Sequence, residues 1–310
     1  MKSTQSNIKK AKKYLDKNHC IAVPTETVYG LAANAYSSIA VKKIFALKKR
    51  PINNPLIVHY YDFHQVEKDC HINQNFMRLY NKFCPGPLTF VLKLKKNSKI
   101  SKFTNNQQKN LAVRFPKHPL FRKLLKNLVY PLAAPSANKS TRLSSVQASD
   151  VFDEFGSKIK YILNGGKCQI GIESTIINLI NKPTILRLGA LNIFKIEKIL
   201  KQNIIVNINL KKKIAPGQFK LHYSPGIPLR INVKTPKKNE AFLLIKKRKI
   251  TLKNYFYLSK NKNLNQVAKN LYSLLRKIKK KGYQTVAIEK IPNIGIGKTI
   301  NDRLKRASKY

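Results

Sequence analysis

Acidic residues are scarce in this 310-residue chain: 13 Asp+Glu stand against 62 Lys+Arg, a formal net charge of +49. With so few carboxylates and no cluster of them, the sequence holds no ready-made oxygen cage for a divalent cation. Cysteine is sparse as well. Cys20, Cys70, Cys84 and Cys168 form no C-x-x-C pair and no disulfide framework, and the six histidines make no metal box with them, which fits a reducing compartment. No apolar run approaches the ~18–20 residues needed to cross a bilayer. Lys and Asn interrupt Met1 to Cys20 throughout, so the apolar centre of a signal peptide is missing. Together these absences predict a cytoplasmic chain without a membrane partner. A P-loop is also incomplete. Gly297-Lys298-Thr299 has the right ending, but Pro292 occupies the position of the first glycine; proline lacks the amide donor and forbids the turn, which leaves a helix-entry turn.

What remains is enough for a folded enzyme or binding protein. A chain of this length with 43% hydrophobic residues can bury a sizeable core in one large domain or two. The cationic surplus admits two readings. Such a surface attracts phosphate backbones, yet Lys spread from Lys2 to Lys309 among many Asn and Ile is also what an AT-rich genome writes into any protein.

Hydrophobic periods alternate between helix and strand. Ile8, Ala11, Tyr14 and Leu15 mark a first helix; Ser37 or Ser38 caps a second through Val41, Ile44, Phe45 and Lys48; Phe76, Leu79, Tyr80 and Phe83 mark a third, ended by Pro85-Gly86. Strands are expected at Leu88–Leu94, Leu111–Phe115, Leu132–Ala134, Lys160–Leu163, Thr175–Leu179 and Thr184–Leu188, with a closing helix through Ile193, Ile196, Ile199 and Leu200. A Pro/Gly-rich stretch follows. Beyond it, strands at Ala241–Ile245 and Thr285–Ile288 alternate with helices at Leu264–Lys280 and Ile300–Ala307. The expected organisation is an α/β domain over 1–205, a linker over 206–229 and a small α/β domain over 230–310.

The densest information lies between Ile21 and His59. A short apolar strand opens into Pro24-Thr25-Glu26-Thr27-Val28-Tyr29-Gly30, and a second, Leu56 to Val58, follows Lys48-Lys49-Arg50-Pro51 and ends on His59. Both hand polar groups to strand ends, where ligands of open α/β sheets collect. Later come Cys84-Pro85-Gly86-Pro87-Leu88-Thr89, Leu111-Ala112-Val113-Arg114-Phe115-Pro116, Pro131-Leu132-Ala133-Ala134-Pro135-Ser136-Ala137-Asn138, Asn164-Gly165-Gly166, Gly171-Ile172-Glu173-Ser174-Thr175 and Leu186-Arg187-Leu188-Gly189. In order and spacing these resemble the YrdC-like family of threonylcarbamoyl-adenylate synthases over about the first two-thirds of the chain. Ala215 to Gly226, with Lys220-Leu221-His222-Tyr223-Ser224-Pro225, resembles the linker of the long, two-domain form. The resemblance implies a YrdC-like twisted mixed sheet followed by a small Rossmann-like domain, here shortened.

It also implies a reaction: L-threonine, bicarbonate and ATP, with Mg²⁺ as the partner of ATP, give threonylcarbamoyl-AMP and pyrophosphate. The product would serve a downstream threonylcarbamoyl transferase complex that modifies tRNA adenosine, with tRNA or double-stranded RNA as a further partner of the positive surface. Lys48 and Arg50 resemble the family's K-x-R element and Ser136 and Asn138 its S-x-N element, which makes these four the expected catalytic group. Thr27, His59, Arg114, Ala134 and Ser174 carry over as threonine contacts; Arg50, Asn54, Asn110, Ser136, Ser144, Arg187 and Tyr223 carry over as ATP contacts. No protein metal site is implied.

Each position has a plainer alternative. Lys48 and Arg50 could complement a helix dipole, His59 could be a structural hydrogen bonder, and Phe219, His222 and Tyr223 could pack between domains instead of forming a lid. Arg114 is different in kind. On an otherwise apolar strand it is costly to bury unpaired, and a bound carboxylate would satisfy it. The chain departs from the family pattern at Cys84, where an aromatic is usual, at Leu188 in place of proline, and in the loose loop Thr141-Arg142-Leu143-Ser144-Ser145. Two rivals are a double-stranded RNA-binding module without adenylation and the carbamoyltransferase of hydrogenase maturation. A zinc-finger-like cysteine pattern, expected of the latter, is missing.

Overall fold

The computed structural model describes residues 2–208, 214–216, 222–249 and 252–308. The chain begins with α1 (Lys2–Asp16), whose Ile8, Ala11 and Leu15 are buried. Nine strands then form one sheet: β1 (Ile21–Val23), β2 (Gly30–Asn34), β3 (Ile57–His59), β4 (Leu88–Lys93), β5 (Asn110–Arg114), β6 (Leu132–Ala133), β7 (Thr175–Asn178), β8 (Thr184–Arg187) and β9 (Ile205–Val206), in the order β1-β2-β6-β3-β5-β4-β7-β8-β9. The sheet is mixed, with parallel pairs β3/β5, β4/β7 and β8/β9 among antiparallel ones. Burial of whole strands such as Ile57-Val58-His59 fits their continuous apolar runs: one face of the central strands packs on helices, and the other, with Ile57, Val91, Ala112, Ile176 and Leu186, packs on Ile214 and Ala215 of the linker.

Among the helices between these strands, α2 (Ser38–Lys48) is capped by Ser37, whose hydroxyl accepts from the Ala40 amide at 3.2 Å. It ends on Lys49 at φ +50°, which turns the chain toward Arg50. Three short helices complete the middle of the domain: α3 (Phe63–Glu67), α4 (Gln74–Phe83) and α5 (Pro119–Lys126). Helix α5, opened by a proline at its first position, packs Phe121, Leu124 and Leu125 with α1 against Ile21, Val23 and Leu132. Two further helices, α6 (Ala148–Phe155) and α7 (Ile193–Leu200), close the domain.

The second unit has a four-stranded, all-parallel sheet of β10 (Leu229–Arg230), β11 (Ala241–Lys246), β12 (Tyr255–Ser259) and β13 (Val286–Ile288), in the order β10-β13-β11-β12. Its helices α8 (Leu264–Lys280) and α9 (Ile296–Ala307) face the first domain. One apolar core runs through both units, from Ile172 and Tyr223 to Tyr272, Leu275 and Ile300.

The expected strand at Lys160–Leu163 is corrected to a single bridge, Ala22 with Ile162. Its only neighbour is the three-residue β1, and the backbone bonds Ala22 to Tyr161 and Leu163 to Ala22, each 2.9 Å, exhaust what so short a strand can pair. Helices α3, α5 and α6 and strands β2, β9, β10 and β12 are not among the expected elements. In α8, Leu274 is only partly buried, and Tyr272 lies on the inner face with Leu271 and Leu275. Helix α9 begins at Ile296 rather than Ile300: Gly295, at φ +49°, caps it, and at Gly297 in its first turn a Cβ would lie 2.0 Å from the Pro292 carbonyl oxygen. Thr299 spends its hydroxyl on the Gly189 carbonyl at 2.9 Å, as a helix-entry turn allows and a phosphate loop does not.

Two glycines set the domain joint. Gly171, at φ +83°, lets α8 approach until a Cβ would lie 2.6 Å from the Lys269 Cα. Gly189 lies flat on the next motif, where a Cβ would come within 2.2 Å of the Ser174 carbonyl carbon and the Thr175 nitrogen. Backbone cannot yield as a flexible side chain can. Gly189→Ala is therefore expected to cost about 2–3 kcal/mol and to lower the thermal midpoint by several degrees; an unchanged melting curve would show that the joint has slack.

Candidate active site

Strand register assembles the pocket. β3 and β5 run parallel with His59 beside Arg114, and Thr89 of β4 flanks Arg114 on its other side. Both β3 and β5 thus end in a polar side chain at the same sheet edge. The chain leaving β6 joins them: the Ala134 amide donates to the Ile57 carbonyl at 2.8 Å, and Ser136 bridges to Gly30. A cavity opens among Thr25, Arg50, His59, Arg114, Ala134, Ser136, Glu173 and Arg187, with Pro216, His222 and Tyr223 from the linker completing its wall.

One end of this cavity is cationic. Arg50 is held by the Asn54 carbonyl at 3.0 Å, the Asn54 side-chain oxygen at 2.5 Å and the Pro55 carbonyl at 2.8 Å. Arg187 donates to the Ser174 carbonyl at 3.1 and 2.9 Å and to the Ser174 hydroxyl at 3.0 Å. All these acceptors are neutral. Behind them the Lys48 ammonium, 1% exposed, donates to the carbonyl of Ser136 at 2.5 Å and to that of Asn138. Among the described residues no carboxylate forms a salt bridge with Lys48, Arg50 or Arg187. Burial first lowers their proton affinities, and repulsion adds to it, from Arg50 on Lys48 and from Arg187 on Arg50: Lys48 falls well below its ordinary value and Arg50 to about 9, while Arg187 is lowered by burial against the opposing pull of Tyr223 and Glu173. Such a cluster favours an incoming anion.

The other end differs. Arg114 pairs with Glu26 at 2.7 Å and donates to the Thr27 hydroxyl at 2.8 Å, while Glu26 also accepts from the Lys117 amide at 2.9 Å. Its Nε has no partner. His59 packs on Phe121, ring centroids 5.6 Å apart, and burial, then Arg114, push its pKa to about 3. It is neutral at pH 7. Its Nδ1 is unpaired, as are the His222 Nδ1 and the Tyr223 hydroxyl. Four buried polar atoms without a protein partner thus belong to residues lining one cavity, the arrangement expected where a ligand supplies the missing bonds.

Of the linker, the described residues Pro216, His222 and Tyr223 line this site. Tyr223 is 1% exposed, adopts φ +67° and stacks on Tyr272 with centroids 6.1 Å apart. The Arg303 guanidinium lies 4.6 Å from its ring centroid on the other domain's side. Tyr223 therefore belongs both to the pocket wall with Ser136 and Arg187 and to the second domain's surface. The lid reading and the packing reading describe the same side chain. With the linker in place the cavity has only about 40 Å³ of room, far below the ~300–1,000 Å³ of typical ligand sites. The neighbouring Phe219, part of the same expectation, lies outside the described residues, as do Gly217 and Gln218 to Leu221.

Of the expected site residues, Arg50, His59, Arg114, Ala134, Ser136, Arg187 and Tyr223 line the cavity. Lys48, Asn54, Thr27, Asn138, Ser144 and Ser174 do not line it but each bonds to a residue that does. Asn138 bonds the Lys139 and Arg142 carbonyls at 2.7 and 2.9 Å, and the Ser174 hydroxyl shares a 2.8 Å bond with Thr89. Asn110 stands apart, at the opposite end of β5 from Arg114, beside Asn105 and Gln108. The sequence reading omitted Glu173 from the site. It is the one carboxylate in the cavity wall, and its position inside a motif of a chain with 13 acidic residues was the available signal.

Glu173 accepts from the Ser144 hydroxyl at 2.6 Å, from Arg303 Nε at 2.9 Å and from the Tyr272 hydroxyl at 3.2 Å. Burial alone would raise its pKa, but Arg303, Arg187 and the Ser144 hydrogen bond together hold it at about 2, against an ordinary value of 4.5. A depressed carboxyl stabilises the fold above its unfolded pKa, and this contribution, on the order of 3 kcal/mol, is lost as pH falls from about 4.5 to about 2. Glu173→Gln should flatten the acid limb of a melting-temperature profile over that window; parallel profiles would show that the pair contributes nothing.

Comparison with known proteins agrees with this geometry. A family model described as telomere recombination matches residues 13–189, and one described as threonylcarbamoyl-AMP synthase, C-terminal domain, matches 192–309. The threonylcarbamoyl-AMP synthase of Pyrococcus abyssi is 35% identical over 96% of this chain and 92% of its own length. That of Bacillus subtilis is 32% identical over 99% and 94%. The crystal structure of P. abyssi Sua5 complexed with L-threonine superposes with a TM-score of 0.90 at 32% identity, covering 98% of this chain and 94% of the other. By sequence, fold and both domain matches, the chain belongs to the YrdC-like threonylcarbamoyl-AMP synthase family in its long, two-domain form.

Proposed function

We propose that this chain joins L-threonine, bicarbonate and ATP into threonylcarbamoyl-AMP with release of pyrophosphate. The observation that carries the reading is the cavity with two unlike ends, one a buried cation cluster in which, among the described residues, no carboxylate forms a salt bridge, the other an arginine already fixed in orientation by Glu26 and Thr27. Arg114 would take the threonine carboxylate through its unpaired Nε, and neutral His59 would contact the amino acid without repelling it. Ser174, Thr27 and the Ala134 backbone complete that end. Arg50 and Arg187 would receive the phosphates, with Asn54, Ser136, Ser144 and Tyr223 around them; Asn110, at the start of β5, lies apart from them.

Chemically, the threonine amine and bicarbonate give the carbamate with loss of water; a carbamate oxygen then bonds to the α-phosphorus as that atom's bond to the oxygen of the departing pyrophosphate breaks, so the protein's contribution is positioning and neutralisation of charge. Lys48 serves this indirectly, by clamping the Ser136 and Asn138 carbonyls so that the turn cannot drift. Among the described residues no three His, Cys, Asp or Glu converge as metal ligands, and Glu173 is turned toward Arg303. Mg²⁺ therefore fits as part of the magnesium–ATP substrate. Because the closed cavity is too small for ATP, the segment at Pro216 and His222-Tyr223 is proposed to lift for entry and close for chemistry.

The product, a reactive acyl adenylate, requires a transferase that delivers the threonylcarbamoyl group to tRNA adenosine. No helix among the described residues is long and apolar enough to cross a membrane, and a cytoplasmic site of action fits this role. An RNA-binding module would have no use for a buried, lidded cavity, so the RNA reading is reduced to an accessory property of the surface.

Purified protein with magnesium–ATP, bicarbonate and threonine should release pyrophosphate only when all are present; release independent of threonine would refute the activity. Arg114→Ala should weaken threonine binding by roughly tenfold or more, since a charge-assisted bond is worth about 1.5–3 kcal/mol, and leave ATP binding nearly intact. Arg50→Ala should do the reverse. Equal losses of both ligands in either variant, measured by calorimetric titration, would dissolve the assignment of two ends.

A further inference from the structure

The cavity wall contains a contradiction. A bed for a triphosphate should exclude fixed negative charge, yet Glu173 lines it together with Arg50 and Arg187. The carboxylate is tolerated there because both oxygens are covered: Ser144 donates to one, Arg303 to the other, and the Tyr272 hydroxyl lies within 3.2 and 3.4 Å of the two. Two of these three donors come from the second domain, from α8 and α9. Arg303 is well placed for the task. It is 1% exposed, its Nη2 donates to the Leu188 carbonyl at 2.6 Å, and its guanidinium faces the Tyr223 ring. Asp302 pairs with Arg303 through its Nη1 and with Arg306 at 3.0 Å, so the cluster of Glu173, Asp302, Arg303 and Arg306 carries no net charge.

We propose that the second domain completes the nucleotide site electrostatically: Arg303 and Tyr272 neutralise Glu173 so that the triphosphate meets the cations alone. This rests on the adenylating activity proposed above and assigns that activity a need for the docked second domain. Arg303 is then a positioning residue. It never touches the nucleotide; it acts through Glu173, and through Leu188 and Thr299–Gly189 it steadies the chain that leaves Arg187. A merely structural ion pair predicts something else, since a buried pair is weak evidence for stability and its loss should harm both substrates alike.

The discriminating measurement is the separation of ATP from threonine. In the full-length protein, Arg303→Met uncovers the carboxylate, and Kd and KM for ATP should rise about tenfold or more while those for threonine change less than about twofold. Glu173→Gln added to Arg303→Met removes the exposed charge and should restore ATP binding to within about threefold of the parent. Parallel losses for both substrates, or a folded double variant that shows no rescue, would overturn the proposal. Should Arg303→Met give no cooperative melt, Glu173→Gln alone decides: it should bind ATP at least as tightly as the parent, and weaker binding refutes the mechanism. Calorimetric ATP binding keeps the two readings apart. A parent that binds ATP but releases no pyrophosphate fails the activity alone, whereas normal pyrophosphate release with no rescue fails the electrostatic role alone.

Discussion

Burying several cations in one wall without matching carboxylates is the constraint around which the rest of the molecule is arranged. Lys48, Arg50 and Arg187 are each no more than 8% exposed, and leaving such groups unpaired in a low-dielectric site is costly. The fold meets the cost with neutral acceptors. Carbonyls of Ser136, Asn138, Asn54, Pro55 and Ser174 absorb their donors, which fixes geometry and leaves the charge itself available. A carboxylate in any of those positions would hold the side chains equally well and abolish the attraction for phosphate. The same logic explains the opposite choice at Arg114. There Glu26 cancels the charge but leaves Nε open, a geometry suited to one carboxylate and poor for a polyanion.

Such a wall needs an external frame. The cations sit where elements end, Lys48 at the end of α2, Arg50 in the turn toward β3 and Arg187 at the end of β8, and the turns beyond such ends move unless something holds them. Lys48 binds the first turn to the Ser136–Asn138 segment, and the Ser140 amide returns a 2.8 Å bond to the Lys48 carbonyl. Helix α9 holds the second turn through Thr299 and Arg303. Glycine at 171 and 189 is what lets these backbones approach closely enough for such bonds to form. The second domain, although small, is thus continuous with the site in core, hydrogen bonding and charge.

How much of this was legible in the sequence depends on the range of the interaction. Local chemistry read well: the Ser37 cap, the apolar runs of β3 and β5, and polar residues at their ends follow from neighbours along the chain. Arg114 on an apolar strand announced a need for a partner. Long-range choices did not. That Glu26 would be one such partner, 88 residues away, that Glu173 would face α9, and that Lys160–Leu163 would find only one bridge depend on which elements meet. Asn110 shows the limit of motif transfer, since its place at the far end of β5 follows from strand direction, which a motif does not encode.

The surplus of +49 can now be divided by environment rather than by sum. Most lysines are exposed, on a surface where solvent and salt screen their fields within about 8–10 Å; a phosphate inside the cavity barely senses them. The few buried cations act at contact distance and in a medium where charge is poorly screened. Exchanging many surface lysines for glutamine would alter solubility and any loose hold on RNA, yet leave the potential in the cavity nearly the same. Exchanging the surroundings of one carboxylate, Glu173, would change that potential directly. Function in this chain is therefore set by where its rare negative charges are placed and what covers them, and the abundance of positive ones is largely incidental to it.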